Sequence, residues 1–202
     1  MQIDTVLVKV ASRCNINCSY CYVYNMGDDG WRDMPTLISR DTVSALAKAL
    51  GQLSRDQPKP FATVFHGGEP LMLGARRLEF LLKMLRSSLP PSHVLCMQTN
   101  GILLTSEILD LCAEYRVSIS ISLDGPQKVN DRFRIGKRGE GTHDKVIAGI
   151  NLLRSHSASN FLYAGLLAVI DPTSDPVVTY NYFKSLDAPS VDFLYRDGNH
   201  SN

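Results

Sequence analysis

Three clustered cysteines are the residues of this sequence whose types and spacing most directly indicate chemistry. Cys14, Cys18 and Cys21 lie within eight residues, separated by three and then two residues. Three thiolates are one fewer than the four ligands of a closed structural zinc site. They are enough to hold three irons of a cubane iron–sulfur cluster, which leaves the fourth iron open to another ligand. A zinc site completed by a histidine such as His66 is the alternative interpretation.

Further polar residues and glycines lie where the predicted strands end. They are Gly67, Gly68 and Glu69 after the second strand, Thr99, Asn100 and Gly101 after the third, and Ser122, Asp124, Asp131 and Arg134 after the fourth. Ligands of parallel α/β proteins bind at the carboxyl ends of the strands. We therefore predict that these residues and the cysteines surround one rim, and that convergence is stronger evidence for a site than any single motif.

Each of these short motifs also has a plainer interpretation. The Gly-Gly-Glu and Thr-Asn-Gly segments are typical of turns that leave a strand. Ser122 and Asp124 can simply cap the end of a strand. Arg134 lies close to Arg132 and other basic residues, so a solvated basic loop is an alternative to a ligand contact. His66 can contact a ligand or only close a turn.

Strands and helices alternate along the chain, which predicts a parallel sheet built from βα units. We predict six strands, over residues 5–11, 61–65, 93–98, 117–123, 161–170 and 191–195. Ser39 is predicted to cap the first helix, the two prolines after Gln57 to end it, and Pro176 to begin the last helix. The segment that leads to Arg134 is predicted to be a polar loop. Right-handed crossovers place the helices outside. The predicted fold class is therefore α/β, a partial (β/α)6 TIM-like barrel of parallel strands that lacks the final helix and is filled inside by packed side chains. We expect one core domain over residues 1–202, truncated at its C-terminal end.

The composition is that of an ordinary soluble globular protein, with 44% hydrophobic and 20% charged residues. A formal net charge of +1 gives no reason to expect nucleic acid or an anionic membrane as a partner. The apolar runs are too short to span a bilayer and no signal peptide is evident, so we expect a cytoplasmic protein. There, clustered cysteines indicate a metal site or catalysis rather than disulfides. Cys96 and Cys112 fall at apolar positions and are predicted to pack in the core.

The cysteine motif, combined with a Gly-Gly-Glu segment after the second strand, resembles the radical S-adenosylmethionine (SAM) superfamily. The resemblance extends over nearly the whole chain and includes the aromatic Tyr20 between the last two cysteines. The segments His-Gly-Gly-Glu-Pro from His66, Ser-Leu-Asp-Gly from Ser122 and Asp-x-Phe-Arg ending at Arg134 resemble the peptide- and protein-modifying branch. That branch includes anaerobic sulfatase-maturating enzymes and SPASM-type peptide maturases.

The resemblance implies a [4Fe-4S] cluster and SAM as cofactors, with the three cysteines as ligands of the cluster. Gly67 and Gly68 lack side chains, so the backbone there is expected to approach the methionine moiety of SAM closely. The Glu69 carboxylate is expected to pair with the ammonium group of that moiety. These roles are implications of the resemblance.

The same resemblance implies roles for three more residues. Ser122 and Arg134 are expected to contact the ribose and the carboxylate of SAM, and Tyr20 to border the adenine. No side chain is assigned a catalytic role. Reductive cleavage of SAM releases a 5′-deoxyadenosyl radical, which is expected to abstract hydrogen from a peptide or protein substrate. An electron donor such as flavodoxin or ferredoxin is the second expected partner.

Two other functions remain open at this point. Members of the peptide-modifying branch commonly carry a cysteine-rich C-terminal extension that binds further clusters, whereas this sequence has no cysteine after Cys112. A non-catalytic iron–sulfur or zinc-binding module is therefore one alternative. A radical SAM enzyme that acts on a small metabolite is the other.

Overall fold

The computed structural model describes residues 2–196 and shows six parallel strands connected through helices. The strands are β1 (Thr5–Ala11), β2 (Ala62–Gly67), β3 (Leu95–Thr99), β4 (Val117–Ser122), β5 (Tyr163–Val169) and β6 (Val191–Leu194). The helices are α1 (Arg40–Asp56), α2 (Gly74–Ser88), α3 (Ser106–Glu114), α4 (Gln127–Phe133), α5 (His143–Ser155), α6 (Ser159–Leu162) and α7 (Pro176–Ser185). Short 3-10 turns cover Gly30–Arg32 and Pro70–Leu73.

The strands lie in the sheet in chain order, and each is hydrogen-bonded in parallel to the next. The sheet is open, with β1 and β6 as its edges. This arrangement confirms the predicted α/β fold with a partial barrel of six strands. All six carboxyl ends consequently lie on the same side of the sheet, which is the side on which the candidate residues were predicted to meet.

Burial alternates along the strands and shows which face of the sheet carries the core. In β4, Val117, Ile119 and Ile121 are fully buried, whereas the serines between them are partly exposed. The buried positions pack against the apolar sides of the helices, such as Leu81 and Leu85 of α2. The core therefore lies between the outer face of the sheet and the helices.

The opposite, inner face of the sheet is open and largely polar. Its residues alternate with the core positions and none of them is buried: Leu7, Lys9, Val64, His66, Cys96, Gln98, Ser118, Ser120, Ser122, Leu167 and Val169. The expectation that packed side chains fill the inside was therefore wrong. The strict alternation of serine with apolar residues in β4 is the pattern of a strand with one solvated face.

Local capping explains where several helices begin. The Ser39 side chain accepts a hydrogen bond from the Thr42 amide at 3.0 Å, which confirms the predicted N-cap of α1. Asp175 caps α7 in the same way, directly before Pro176. The Gln57 C-cap ends α1 just before the two prolines that were predicted to break it.

Two parts of the predicted secondary structure were wrong. The segment before Arg134 was predicted as a polar loop, but it forms helix α4 after Pro126. Its apolar residues are too few to produce a helical period in the sequence. Phe161 was assigned to the fifth strand, yet it lies in the single turn of α6, because a short apolar run does not distinguish a strand from a buried helical turn.

Across residues 2–196, no helix combines the length and the apolar character needed to cross a membrane.

Candidate functional site

The segment that carries the three cysteines begins three residues after β1 and is tied to the segment that follows α4. The Asn17 amide donates to the Ile135 carbonyl at 2.8 Å, and the Ser19 amide donates to the Phe133 carbonyl at 2.9 Å. Ile16 also forms a bridge with Gly136. These backbone contacts hold the cysteine segment over the rim of the sheet.

Cys14, Cys18 and Cys21 are all partly buried and border a single cavity of about 190 Å³ at this rim. The predicted residues Tyr20, Gly67, Gly68, Glu69, Ser122 and Arg134 border the same cavity. The structure thus brings these nine residues together, and Thr99 and Asn100 with them, whereas Gly101, Asp124 and Asp131 do not border this cavity. Asp131 instead accepts hydrogen bonds from the Thr142 and His143 amides at 2.9 and 2.8 Å. Within residues 2–196, no three His, Cys, Asp or Glu side chains are grouped closely enough to ligate a single metal ion.

Burial favours the protonated thiol at Cys14 and Cys18 in the absence of a metal. It raises the pKa of Cys14 to about 12, although a backbone hydrogen bond with Ile16 opposes the rise. Burial also raises the pKa of Cys18, and the positive charge of Arg134 opposes it. Because metals bind the thiolate form, loading of this site is coupled to release of protons.

The two glycines after β2 are required by the close approach of the cysteine segment. A Cβ atom at Gly67 would overlap the Ala11 carbonyl of β1, and Gly67 also has a φ of +131°, which side chains rarely allow. A Cβ atom at Gly68 would overlap the Arg13 carbonyl and the Tyr24 hydroxyl. The close backbone approach seen in the structure is therefore to the cysteine segment itself. An approach to a ligand remains a prediction.

Glu69 is a buried carboxylate that the protein itself holds in place. Its Oε1 accepts hydrogen bonds from the Leu71 amide at 2.9 Å and the Thr99 hydroxyl at 2.6 Å, and its Oε2 accepts one from the Asn100 amide at 2.8 Å. Burial raises the pKa of Glu69, and these hydrogen bonds oppose the rise. A carboxylate has about four lone-pair sites, so one site on Oε2 is still available for a further donor.

The Thr-Asn-Gly segment after β3 forms the predicted turn and also connects two parts of the site. The Ile102 amide donates to the Asn100 side-chain oxygen at 3.1 Å, which closes the turn. The Asn100 side-chain nitrogen donates to the Asn15 side-chain oxygen at 2.7 Å and lies 3.9 Å from the Cys14 sulfur. Asn100 therefore links Glu69 to the cysteine segment. The sequence offers no signal for this link beyond the turn itself.

A hydrogen-bonded group of Tyr20, Asp124 and Arg134 joins three distant parts of the chain. The Tyr20 hydroxyl donates to Asp124 Oδ2 at 2.5 Å, and Arg134 Nη1 donates to the Tyr20 oxygen at 3.0 Å. Asp124 Oδ1 accepts from the Val169 amide at 3.1 Å and lies 4.0 Å from Arg134 Nη1. Burial raises the pKa of Asp124, and the positive charge of Arg134 opposes the rise.

The alternative of a solvated basic loop at Arg134 was wrong. Arg134 is only 7% exposed, whereas the Arg132 side chain is 53% exposed and pairs with Asp171 at 2.9 Å. Burial by itself lowers the pKa of Arg134, but Tyr20 and Asp124 raise it by a larger amount. The net shift is upward, so the guanidinium stays charged. Its buried Nε has no hydrogen-bond partner within residues 2–196.

The end of β4 presents Ser122 to the cavity. Its hydroxyl oxygen accepts a hydrogen bond from the Gln98 side-chain nitrogen at 2.9 Å. Gln98 also borders the cavity, and sequence reasoning did not single it out. A polar residue directly before the Thr-Asn-Gly segment, in a strand whose other inner-face position is Cys96, was the available signal.

Two other cavity residues were not assigned roles from the sequence. His66 borders the cavity, and its buried Nδ1 has no hydrogen-bond partner within residues 2–196. Burial lowers the pKa of His66, and the nearby Lys9 lowers it further, so the ring is neutral. Arg196 follows β6 and its guanidinium lies 3.8 Å from the centre of the Phe133 ring, at the edge of the cavity.

The two remaining cysteines differ from each other in position. Cys112 is fully buried in the core, as predicted. Cys96 is partly exposed on the inner face of the sheet and accepts a hydrogen bond from the Ser118 hydroxyl at 3.4 Å. The prediction that Cys96 packs in the core was wrong, because the apolar residues beside it alternate with it and face the helices.

The donor set fits the cofactors that the cysteine motif implies. Three sulfur atoms are the soft ligands that iron–sulfur clusters use. Beside them, Oε2 of Glu69 can accept one more hydrogen bond, and the buried Nε of Arg134 is a donor without a partner in the described part of the chain. A carboxylate and a guanidinium next to three thiols can hold the two charged ends of an amino acid beside a metal centre.

Comparison with known proteins assigns this arrangement to a family. Residues 8–173 match the family model described as the Radical SAM superfamily. A serine-type anaerobic sulfatase-maturating enzyme of Bacteroides thetaiotaomicron is 32% identical over 210 aligned positions, covering 96% of this chain and 49% of the relative. A cysteine-type anaerobic sulfatase-maturating enzyme of Clostridium perfringens is 26% identical, covering 94% of this chain and 51% of the relative.

The fold also matches solved structures. The structure described as native anSMEcpe with bound AdoMet superposes with a TM-score of 0.80 at 21% identity, covering 97% of this chain and 53% of that one. At this identity the match establishes the fold. The chain spans about half the length of the curated relatives it matches.

Proposed function

The chain belongs to the radical SAM superfamily, and on that basis we propose that it is the core of an enzyme that reductively cleaves SAM at a [4Fe-4S] cluster. The 5′-deoxyadenosyl radical that this cleavage supplies abstracts hydrogen from a peptide or protein substrate. The proposed domain covers residues 1–202. An electron donor such as flavodoxin or ferredoxin is the proposed redox partner.

One observation carries this proposal. The three cysteines follow β1, Glu69 follows β2, Arg134 lies at the end of α4, and all of them border one cavity. No neighbour in sequence forces them together, because Glu69 is 55 residues from Cys14 and Arg134 is a further 65 residues away (69 − 14 and 134 − 69). If these residues only formed turns or capped strands, nothing would require them to border the same cavity.

We assign roles to the residues of this chain as follows. Cys14, Cys18 and Cys21 hold the cluster. Glu69 accepts a hydrogen bond from the ammonium group of SAM at the free site of Oε2, and Arg134 donates to its carboxylate. Both side chains are buried and held by neighbours, so they are oriented before the ligand arrives.

The remaining contacts orient the nucleoside part. Ser122 lies across the cavity on β4 and is assigned to the ribose, and Tyr20 is assigned to the edge of the adenine. Gln98 fixes the Ser122 hydroxyl by donating to its oxygen, which leaves the hydroxyl hydrogen free to face the ligand. Gly67 and Gly68 allow the cysteine segment to close over β2, which limits the access of water from that side.

The peptide class of substrate follows from the relatives, which are named as maturating enzymes of sulfatases. The test uses reconstituted protein with SAM, dithionite and a sulfatase-derived peptide that carries a serine or a cysteine, analysed by mass spectrometry. We expect a change in peptide mass together with 5′-deoxyadenosine in amounts that increase with peptide. The proposed substrate class is contradicted if the amount of 5′-deoxyadenosine is the same with and without peptide and every peptide keeps its mass.

A further inference from the structure

Lys9 and His66 are neighbours on the inner face of the sheet. They are paired in register between β1 and β2. Both alternate with buried core positions, Val8 and Val10 on one strand and Phe65 on the other, so both face away from the helices. The His66 Nδ1 has no hydrogen-bond partner within residues 2–196, and the Lys9 ammonium is in none of the ion pairs found there.

The surroundings of His66 determine which of its nitrogens can act as a donor. The ring is neutral because burial and Lys9 both lower its pKa. A neutral imidazole carries one donor and one acceptor, and buried N–H groups without a partner are rarer in proteins than under-satisfied acceptors. Nδ1 is the buried, unpartnered atom, so we assign the acceptor role to Nδ1 and the proton to Nε2. His66 therefore presents an N–H donor to the cavity that the cysteines border.

Lys9 gives this part of the inner face a positive charge. Among the inner-face positions of β1 to β5 in the described chain, Lys9 is the one charged residue. Asp192 lies on the same face, but on β6 at the opposite edge of the sheet. Glu69, the acid that borders the cofactor cavity, and Asp124, which binds Tyr20 at its edge, are both engaged by their own donors.

Two adjoining cavities meet at this pair. His66 borders the cavity of the cysteines, and Lys9 borders a second cavity of about 570 Å³ beneath residues 22–38. Tyr24 and Gly68 border both. The second cavity is lined mainly by apolar side chains such as Trp31 and Ile38, and its one acid, Asp28, accepts a hydrogen bond from the Gly30 amide at 2.9 Å. A volume of this size is typical of a ligand site.

We propose that Lys9 and His66 bind a carboxylate of the substrate, supplied by an acidic side chain or by the C-terminus of a peptide, while the second cavity receives the residues beside it. This proposal rests on the proposed function, because it assigns the substrate of the same site. The Lys9 ammonium and the His66 N–H donor together complement a carboxylate. A neutral amide can accept the hydrogen bond from His66 but gains nothing from the charge of Lys9. The pair determines substrate preference and takes no part in cofactor binding.

The test compares two blocked dipeptides of equal size, N-acetyl-Ser-Glu-amide and N-acetyl-Ser-Gln-amide. Each is titrated into the reconstituted protein, and binding is followed by the NMR signals of the His66 ring nitrogens. We expect the glutamate probe to shift the His66 Nε2 signal and to bind at least about tenfold more tightly than the glutamine probe, a difference of about 1.4 kcal/mol. The preference is expected to disappear in Lys9→Met.

Lys145→Met is the matched control, because Lys145 is an exposed lysine 3.8 Å from Glu140 and borders neither cavity. It is expected to keep the preference for the glutamate probe. Equal binding of both probes, no shift of His66 with either, or an unchanged preference in Lys9→Met overturns the proposal. Cleavage of SAM is measured separately on the same samples, so a failure of the proposed function is distinguished from a failure of this site.

Discussion

Tyr20 donates its hydroxyl proton to the Asp124 carboxylate at 2.5 Å, which joins the cysteine segment to the end of β4. The same oxygen accepts a hydrogen bond from Arg134 Nη1, so one phenol links an acid and a base that are both buried. Tyr20 was expected only to border the adenine. The structure gives it a second task, which is to hold Arg134 in position.

Replacement of Tyr20 by phenylalanine tests this task. The change removes a donor from a buried carboxylate and an acceptor from a buried guanidinium, so we expect the free energy of unfolding to fall by about 1–3 kcal/mol. SAM is expected to bind more weakly as well, because Arg134 loses its orientation. Urea unfolding and equilibrium binding of SAM measure the two effects. Tyr195→Phe is the control, since Tyr195 borders the cavity but is 85% exposed. Equal stability of the two variants contradicts the assigned task.

A double substitution tests the charge balance between Arg134 and Asp124. Arg134→Met leaves Asp124 as a buried carboxylate without its cation, and we expect a loss of about 3 kcal/mol in the free energy of unfolding. Adding Asp124→Asn removes the uncompensated charge and is expected to restore part of that loss. SAM binding is expected to remain weak in both variants. The prediction is wrong if adding Asp124→Asn to Arg134→Met lowers the free energy of unfolding by as much as Asp124→Asn does alone.

Gly68→Ala tests the close approach of the cysteine segment to β2. The added Cβ overlaps the Arg13 carbonyl and the Tyr24 hydroxyl, so we expect a loss of about 2–3 kcal/mol and lower iron content after reconstitution. Gly139→Ala is the control, because Gly139 has a φ of +83° but no atom within 4 Å of the added Cβ. Backbone strain alone then costs about 1 kcal/mol. Chemical denaturation measures both variants, and an equal loss in the free energy of unfolding for Gly68→Ala and Gly139→Ala contradicts the packing explanation.

Glu69→Gln tests the burial of a carboxylate through the pH dependence of stability. Because burial raises the pKa of Glu69, the folded state binds more protons than the unfolded state between the two pKa values. The contribution of Glu69 to the stability of the metal-free protein is therefore fully present below the ordinary glutamate pKa and is lost as pH rises through the raised value, by at most about 1.4 kcal/mol per pH unit. We expect this component to be absent in Glu69→Gln. Parallel stability curves for the two proteins between pH 4 and 8 contradict the prediction.

Patterns that depend on local spacing were sufficient to predict much of this fold. The strand–helix alternation predicted the open parallel sheet, and Ser39 and Pro176 marked the beginnings of α1 and α7. The position of each candidate residue directly after a strand predicted the shared rim, since parallel strands end on the same side. These features follow from short stretches of chain and from a general rule of topology.

Features that depend on which distant side chains meet were not predicted. The sequence gives no sign that Asn100 reaches Asn15, or that Tyr20 meets Asp124, since 85 and 104 residues separate the members of these pairs. Arg134 was predicted to contact SAM, but its basic neighbours left a solvated loop open as the alternative, and its burial beside Tyr20 and Asp124 has no local signal in the sequence. The alternating serines of β4 indicate an open inner face, but the strand was interpreted as part of a barrel filled by side chains.

Iron content and SAM cleavage of the anaerobically reconstituted protein test the central claim most directly. We predict about four irons and four sulfides per chain and dithionite-dependent formation of 5′-deoxyadenosine. Both are expected to disappear in Cys18→Ala and to persist in Cys112→Ala, because Cys112 lies in the core, away from the cavity. Stoichiometric zinc without cleavage of SAM, or the same behaviour of the two cysteine variants, would contradict the account.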